Sequence, residues 1–277
     1  MKFFAYGTLL KGMSRSGVLC RSRFMGHGFA NGVLYDLGAY PAIGEGSEIV
    51  YGELYEIDEK KLREIDRIEG CYPEDKHHSL YMRKEADITL LDDGSKESAY
   101  TYFYNHDLDD YHRIVCGDYR RYTLEKLPDN QYNQWYIAYG SNMSSERLYG
   151  RIRETHEIKA GYMEGYRLMF NKKADKGGVY ANIAYIGSGC RCPFAAYLIS
   201  KEQLYQLDSY EGEPSHYVRI GLWFSDLKGE SRIGHIYVAN PDRLTHNHKP
   251  SDNYLKYIHT GYEEHGFDRN DLPQLVE

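Results

Sequence analysis

Cysteine is scarce in this chain, with five among 277 residues at irregular intervals, which is too few for a disulfide framework. Cys190-Arg191-Cys192 is the closest pair, and no second pair at zinc-binding spacing accompanies it. His77-His78 and His246-Asn247-His248 lack a neighbouring cysteine or carboxylate cluster and read as loop histidines. A reduced, cytoplasmic chain without a metal is therefore expected. Long apolar runs are also missing, since none approaches the roughly 20 residues that a membrane-spanning helix needs. The opening Met1-Lys2-Phe3-Phe4 is cut short by Tyr6, Gly7 and Thr8, with no small-residue cleavage site behind it, which argues against a signal peptide. Positive charge is not concentrated: 34 Lys and Arg face 41 Asp and Glu, for a net charge of −7. Three arginines between Arg113 and Arg121 are interrupted by Asp118 and read as a solvated helix face. Neither a nucleic-acid backbone nor a membrane is expected as a partner.

What the chain has in abundance is tyrosine, 29 of them. Tyrosine suits strands and half-buried surfaces, where the ring packs and the hydroxyl stays wet. The chain also repeats itself. Phe3-Phe4-Ala5-Tyr6-Gly7-Thr8-Leu9 returns as Trp135-Tyr136-Ile137-Ala138-Tyr139-Gly140-Ser141-Asn142-Met143, and Ile65-Asp66-Arg67-Ile68-Glu69-Gly70 returns as Leu207-Asp208-Ser209-Tyr210-Glu211-Gly212. Tyr81-Met82-Arg83 then matches Tyr217-Val218-Arg219, and Tyr102 through Asn105 matches Tyr237 through Asn240. Solenoid units run about 20–50 residues, so a repeat this long is a duplicated domain. A prior of about 100–200 residues per domain agrees with two domains. The seam falls at Leu127-Pro128-Asp129-Asn130-Gln131, giving domains at 1–127 and 134–277.

Within the first copy, Phe3 to Tyr6, Gly32 to Tyr35 and Val50 to Ile57 read as strands. Asp58 can cap a helix whose Leu62, Ile65 and Ile68 share one face and which stops at Gly70. Tyr81 to Leu91 and Ala99 to Tyr104 alternate around Asp92-Asp93-Gly94, a hairpin signal. The second copy repeats the plan: a strand at Phe194 to Ile199, a capping box of Ser200 with Gln203, a helix ended by Gly212, and a hairpin of Val218 to Phe224 with Ile233 to Val238. Antiparallel strands with a few helices to one side make an α+β domain, used twice, with closure into a small barrel open.

Two features carry chemistry. A glycine directly after a strand, in Tyr6-Gly7-Thr8-Leu9 and Tyr139-Gly140-Ser141-Asn142, lets a ligand approach the backbone, whose N–H groups can bind an anion; a plain structural turn is the alternative. Glu69 and Glu211 each sit at the end of a helix, where the macrodipole disfavours a carboxylate by about 0.3–1 kcal/mol. Asp66 and Asp208, three residues earlier, add like-charge repulsion, and both effects raise a carboxyl pKa. A local rule broken twice at one place marks a functional site; two acids pointing into water is the competing reading. Tyr81 with Arg83, and Tyr217 with Arg219, share a sheet face, the tyrosines able to hydrogen-bond a substrate and the arginines reading as surface strand residues.

With these residues assembled, the chain resembles a tandem of γ-glutamylcyclotransferase-like domains, the superfamily that includes the AIG2-like proteins. The second copy is similar to the γ-glutamyl amino acid type through Ala138 to Met143, Leu207 to Gly212 and the stretch from Pro250 to Gly266. The first looks closer to the γ-glutamylamine type through Tyr6 to Leu9, Tyr35-Asp36, Tyr40-Pro41-Ala42 and Glu69. The resemblance implies two small, mixed, mostly antiparallel β-barrels with flanking helices. It implies a small γ-glutamyl compound as substrate, converted to 5-oxoproline with release of an amino acid or amine. It assigns Glu69 and Glu211 the acid–base role and residues 6–9 and 139–142 the grip on the γ-glutamyl part. The substrate's own α-amine attacks its γ-carbonyl, so positioning and proton transfer suffice and no cofactor is implied. The charged insertion Pro73 to His78, between Glu69 and Tyr81, is a departure that could form a lid. Glutathione cleavage is a second enzymatic reading. A non-catalytic tandem binding module is the reading from another class, and a purely structural duplication predicts no pocket at all.

Overall fold

The alternating run at the N-terminus forms β1 (Lys2–Ala5), which lies between two later strands. The computed structural model describes residues 1–128 and 132–273 and divides into two units, Met1–Tyr122 and Thr123–Glu277. Asp129, Asn130 and Gln131 of the expected seam lie outside the described residues.

In the first unit, β2 (Arg23–Asp36) and β3 (Pro41–Glu56) form a long antiparallel pair, and β4 (Tyr81–Leu90) pairs with β5 (Lys96–Tyr104) in the expected hairpin. β1 runs antiparallel to β3 and parallel to β5, meeting the latter at Phe3 and Tyr100, while β2 pairs with β4. Five strands thereby close on themselves, and the two-residue β6 (His112–Arg113) extends β2. Closing so small a ring demands sharp curvature, which register shifts in β2 at Phe24/Gly26 and Asn31/Val33 provide. It also demands close approach: a Cβ on Gly52 would stand 2.1 Å from the Ala5 carbonyl oxygen. The ring is filled by Phe3, Phe4, Ile43, Leu54 and Ile88, all buried.

Helix α1 (Glu59–Ile68) follows β3, with the Asp58 side chain accepting from the Lys61 N–H. Its Leu62 and Ile65 are buried against the barrel, a contribution of about 1.5–3 kcal/mol each. Near the start of α2 (Tyr119–Glu125) the structure corrects the sequence reading. Arg120 is no solvated helix residue: it is 2% exposed and its Nη1 lies 2.7 Å from Oε1 of the equally buried Glu53. Glu53 also accepts from the Tyr55 hydroxyl and the Lys11 N–H. That carboxylate is held below the ordinary range by Arg120 and His27, against the burial that opposes them.

The second unit builds the same plan on an opened ring. β7 (Gln134–Ala138), β8 (Glu157–Glu164), β11 (Arg191–Ile199), β12 (Tyr217–Ser225) and β13 (Ser231–Ala239) form a sheet in the order β12-β13-β7-β11-β8. Its two edges meet after β12, where the Leu227 N–H donates to the Ala160 carbonyl. β9 (Tyr166–Lys173) and β10 (Val179–Tyr185) form a separate antiparallel pair. As in the first unit, the opening strand runs parallel to the second strand of the late hairpin, here at Tyr136 and His235. After the Tyr-Gly-Ser-Asn loop comes α3 (Ser145–Ile152), where the first unit has only a short turn at Ser16–Leu19. The capping box of Ser200 and Gln203 opens α4 (Lys201–Glu211), which stops at Gly212 with φ +66°. A last helix, α5 (Asp252–Glu264), is capped by Ser251. Among the described residues no helix is long and apolar enough to cross a membrane.

Candidate active site

In the first unit, the chain leaving β1, the end of α1 and the start of β4 surround a cavity of about 240 Å³. Tyr6, Gly7, Thr8, Leu9, Glu69 and Tyr81, the six residues singled out in this copy, all line it. Gly7 is required by space, because a Cβ there would meet the Pro41 ring at 2.7 Å. The backbone N–H groups of Thr8 and Leu9 donate to no described residue. The Tyr6 hydroxyl donates to the Tyr102 carbonyl at 2.8 Å and the Tyr81 hydroxyl to the Pro41 carbonyl at 2.9 Å. These tyrosines thus fix the walls with their protons and leave a phenolic oxygen lone pair for a ligand. None of Pro73 to His78 lines the cavity: Ser79 and Asn105 tie that insertion back on itself through the carbonyls of Tyr72, Asp75 and Lys76.

Glu69 comes directly after the last turn of α1, half-buried, and its carboxyl has no hydrogen-bond or ion-pair partner among the described residues. Burial pushes its pKa up to about 7, with Arg15 pulling in the opposite direction. Asp66 is not the cause that its spacing suggested. It accepts from the Tyr102 hydroxyl at 2.7 Å and from Arg83, and so braces the helix against the sheet. Arg15, an exposed residue on the cavity rim, is not evident from the sequence. It sits in a Ser-Arg-Ser stretch with no pattern to set it apart from other solvated arginines.

In the second unit, Tyr139, Gly140, Ser141, Asn142, Glu211 and Tyr217 likewise come together, around a much smaller space of about 40 Å³. It shares Ser141, Glu211, Tyr217 and Tyr254 with an adjoining cleft of about 500 Å³. The fixed tyrosines repeat: the Tyr139 hydroxyl donates to the Tyr237 carbonyl at 2.6 Å, and the Tyr217 hydroxyl to the Ala181 carbonyl at 2.7 Å. Here, however, the glutamate is engaged. Oε1 of Glu211 lies 2.6 Å from Arg151 Nη1 and accepts from Asn142 Nδ2 at 2.9 Å. Asn142 Oδ1 beside it is buried without a partner among the described residues. Tyr254, from α5, closes the loop side by accepting from the Ala181 N–H at 3.1 Å.

Arg83 and Arg219 are not the free surface residues that their strand positions suggest. Arg219 is fully buried, its Nε and Nη2 donating to the two oxygens of Asp208 at 2.6 and 2.9 Å, and Tyr237 donates to the same carboxylate at 2.7 Å. In each copy the Asp of Asp-x-x-Glu holds the Arg of Tyr-x-Arg and a sheet tyrosine, which places the following Glu at its cavity. The repeated Asp and Arg are both visible in the sequence; their pairing is the signal that would have revealed the brace.

Comparison with known proteins also finds a tandem of domains of one family. The family described as gamma-glutamyl cyclotransferase, AIG2-like, matches residues 3–121 and again 136–256. The chain belongs to that family, twice over. A Methanocaldococcus jannaschii protein named as a putative gamma-glutamylcyclotransferase is 35% identical over 124 residues, 43% of this chain and 95% of its own length. The gamma-L-glutamyl-butirosin B gamma-glutamyl cyclotransferase of Niallia circulans is 30% identical over 129 residues, 44% of this chain and 77% of its own. The crystal structure of YkqA from Bacillus subtilis shares the fold across both units, with a TM-score of 0.76 at 20% identity, covering 97% of this chain and 93% of that one. The family and the two sequence relatives carry the names of γ-glutamylcyclotransferase-like enzymes.

Proposed function

We propose that each unit cyclises a γ-glutamyl compound to 5-oxoproline, releasing the attached amine or amino acid, with Glu69 and Glu211 as the proton carriers. The observation that carries this reading is Glu69: a carboxyl group without a partner among the described residues, in a cavity beside a glycine loop, with its pKa pushed to about 7. A carboxyl poised there can accept a proton at neutral pH and give it back. In the reaction the α-ammonium loses a proton to the glutamate, and its nitrogen bonds to the γ-carbonyl carbon. The bond from that carbon to the departing nitrogen then breaks as the glutamate returns the proton to it. No water, oxidant or cofactor enters the balance. The N–H groups of Thr8 and Leu9 supply donors for either the carbonyl oxygen as it gains charge or the α-carboxylate. In the second unit Asn142 Oδ1, an acceptor without a partner among the described residues, lies beside Glu211 and suits the α-ammonium. Arg15 and Arg151 place one guanidinium at each site for the α-carboxylate. The first site would take γ-glutamylamines and the second γ-glutamyl amino acids.

The test is 5-oxoproline release from both substrate series by the parent chain, Glu69→Gln, Glu211→Gln and the double variant. Each single variant should lose about 10²–10⁴-fold on its own series. Undiminished release by the double variant would overturn the assignment of both carboxylates. No release by the parent chain from either series would leave the binding-module reading standing.

A further inference from the structure

The cleft of about 500 Å³ beside Glu211 has a charge balance that ring closure alone does not require. Four cationic side chains line it, Arg147, Arg151, Lys172 and Lys176, against two carboxylates, Asp175 and Glu211. The first unit's cavity has one of each, Arg15 and Glu69. Lys172, on β9, is the unusual member. It is 3% exposed, and its Nζ lies 5.4 and 5.2 Å from the ring centres of Tyr180 and Tyr217. Its hydrogen-bond partner is His216 Nδ1 at 2.8 Å, and no carboxylate comes within ion-pair distance of it among the described residues. An ammonium removed from water without a counter-charge is costly, and burial holds its pKa below the usual lysine value. Asp175 and Glu211 favour its charged form from beyond ion-pair distance, without offsetting the burial, and Asp175 is exposed and engaged by His216 and Arg243. Arg147 lies over the Tyr257 ring at 4.6 Å, and its Nε is buried without a partner among the described residues. Two cations thus stand without a carboxylate, among the described residues, at the wall of a cleft that opens directly from Glu211.

We propose that Lys172 and Arg147 are the specificity-determining residues of the second site, together seating the carboxylate of the amino acid that leaves. This rests on the cyclotransferase reading of that site. The γ-glutamyl part occupies the small space at Gly140 and Asn142, and the leaving group extends into the larger cleft. A carboxylate arriving there supplies the direct ion pair that the buried ammonium lacks among the described residues. Lys172 acts as a specificity-determining residue, one that touches the leaving group and moves no proton in the reaction.

The test uses the full chain carrying Glu69→Gln and Glu211→Gln, so that ligand is not consumed. Calorimetry compares γ-glutamyl-alanine with γ-glutamyl-alaninamide, which has the same shape without the negative charge. The acid should bind about ten- to a hundredfold more tightly, as expected for charge-assisted hydrogen bonds. Adding Lys172→Met should erase that preference, and adding Lys172→Arg should retain it. Equal affinity for the two compounds in the chain that keeps Lys172 overturns the proposal, with no reliance on the folding of any Lys172 variant. A preference that survives Lys172→Met in a folded chain overturns it equally. A separate assay on Glu69→Gln alone isolates the reading beneath: preference in binding without any 5-oxoproline release keeps the seat and removes the cyclotransferase.

Discussion

Glu69 and Glu211 occupy the same place in the repeat and live in different surroundings. The first stands alone in a roomy cavity, its nearest opposing charge on the rim; the second is held by Arg151 and Asn142 in a space of about 40 Å³. Both acids sit in the same Asp-x-x-Glu-Gly frame, and the difference in partner comes from the segment after the glycine loop. In the second unit the loop runs into α3, which brings Arg151 to the glutamate; in the first it runs through a short turn that leaves Arg15 at the edge. A helix inserted after a shared motif thus converts an open site into a clamped one.

That comparison breaks first on activity. If both sites work, Glu69→Gln and Glu211→Gln will divide the substrates between them, each losing about 10²–10⁴-fold on one series in 5-oxoproline release. The next effect concerns the braces. Arg219→Met removes the buried partner of Asp208 and should cost about 3–5 kcal/mol in chemical denaturation. Arg83→Met, at a pair that water reaches, should cost about 1 kcal/mol. Equal costs would show that burial does not separate the two braces. The pH dependence of stability is third. Folded Glu69 keeps its proton up to about pH 7, whereas an ordinary glutamate loses it near 4.5. The stability contributed by holding that proton is fully present below pH 4.5 and is lost as pH rises to 7. Glu69→Gln should therefore be neutral at about pH 4 and stabilise the chain by about 3 kcal/mol at about pH 8. The same titration predicts that first-site turnover rises with pH around 7. Smallest is Arg151→Met, which unclamps Glu211 and removes one guanidinium from the second site. KM there should rise about tenfold, with the first site unaffected.

Much of this is legible in the residues themselves. The Asp92-Asp93-Gly94 turn between two alternating runs, the Ser200 and Gln203 box, and Gly212 as a helix stop are each settled by a few neighbouring residues. The duplication itself points to both glycine loops and both glutamates. The features hidden from the sequence depend on distant partners. Arg120 looks solvated until Glu53, far back in β3, is folded onto it. Burial, and not the adjacent Asp66, raises the Glu69 pKa, and no stretch of sequence displays burial. Lys172 lies on β9, in a strand pair that stands apart from the main sheet, and no repeated motif draws attention to it.

The parallel contacts of the two opening strands have a kinetic consequence. β1 leaves the ribosome well before the strand it meets at Tyr100, and β7 waits in the same way for His235. Pairings so distant in the chain form slowly, because a long loop must close before any contact rewards it. Each glycine loop is tethered to the strand that waits, so neither pocket can exist as a nascent fragment. The N-terminal unit is complete well before its sequel, and a translating chain would acquire its two candidate sites one after the other.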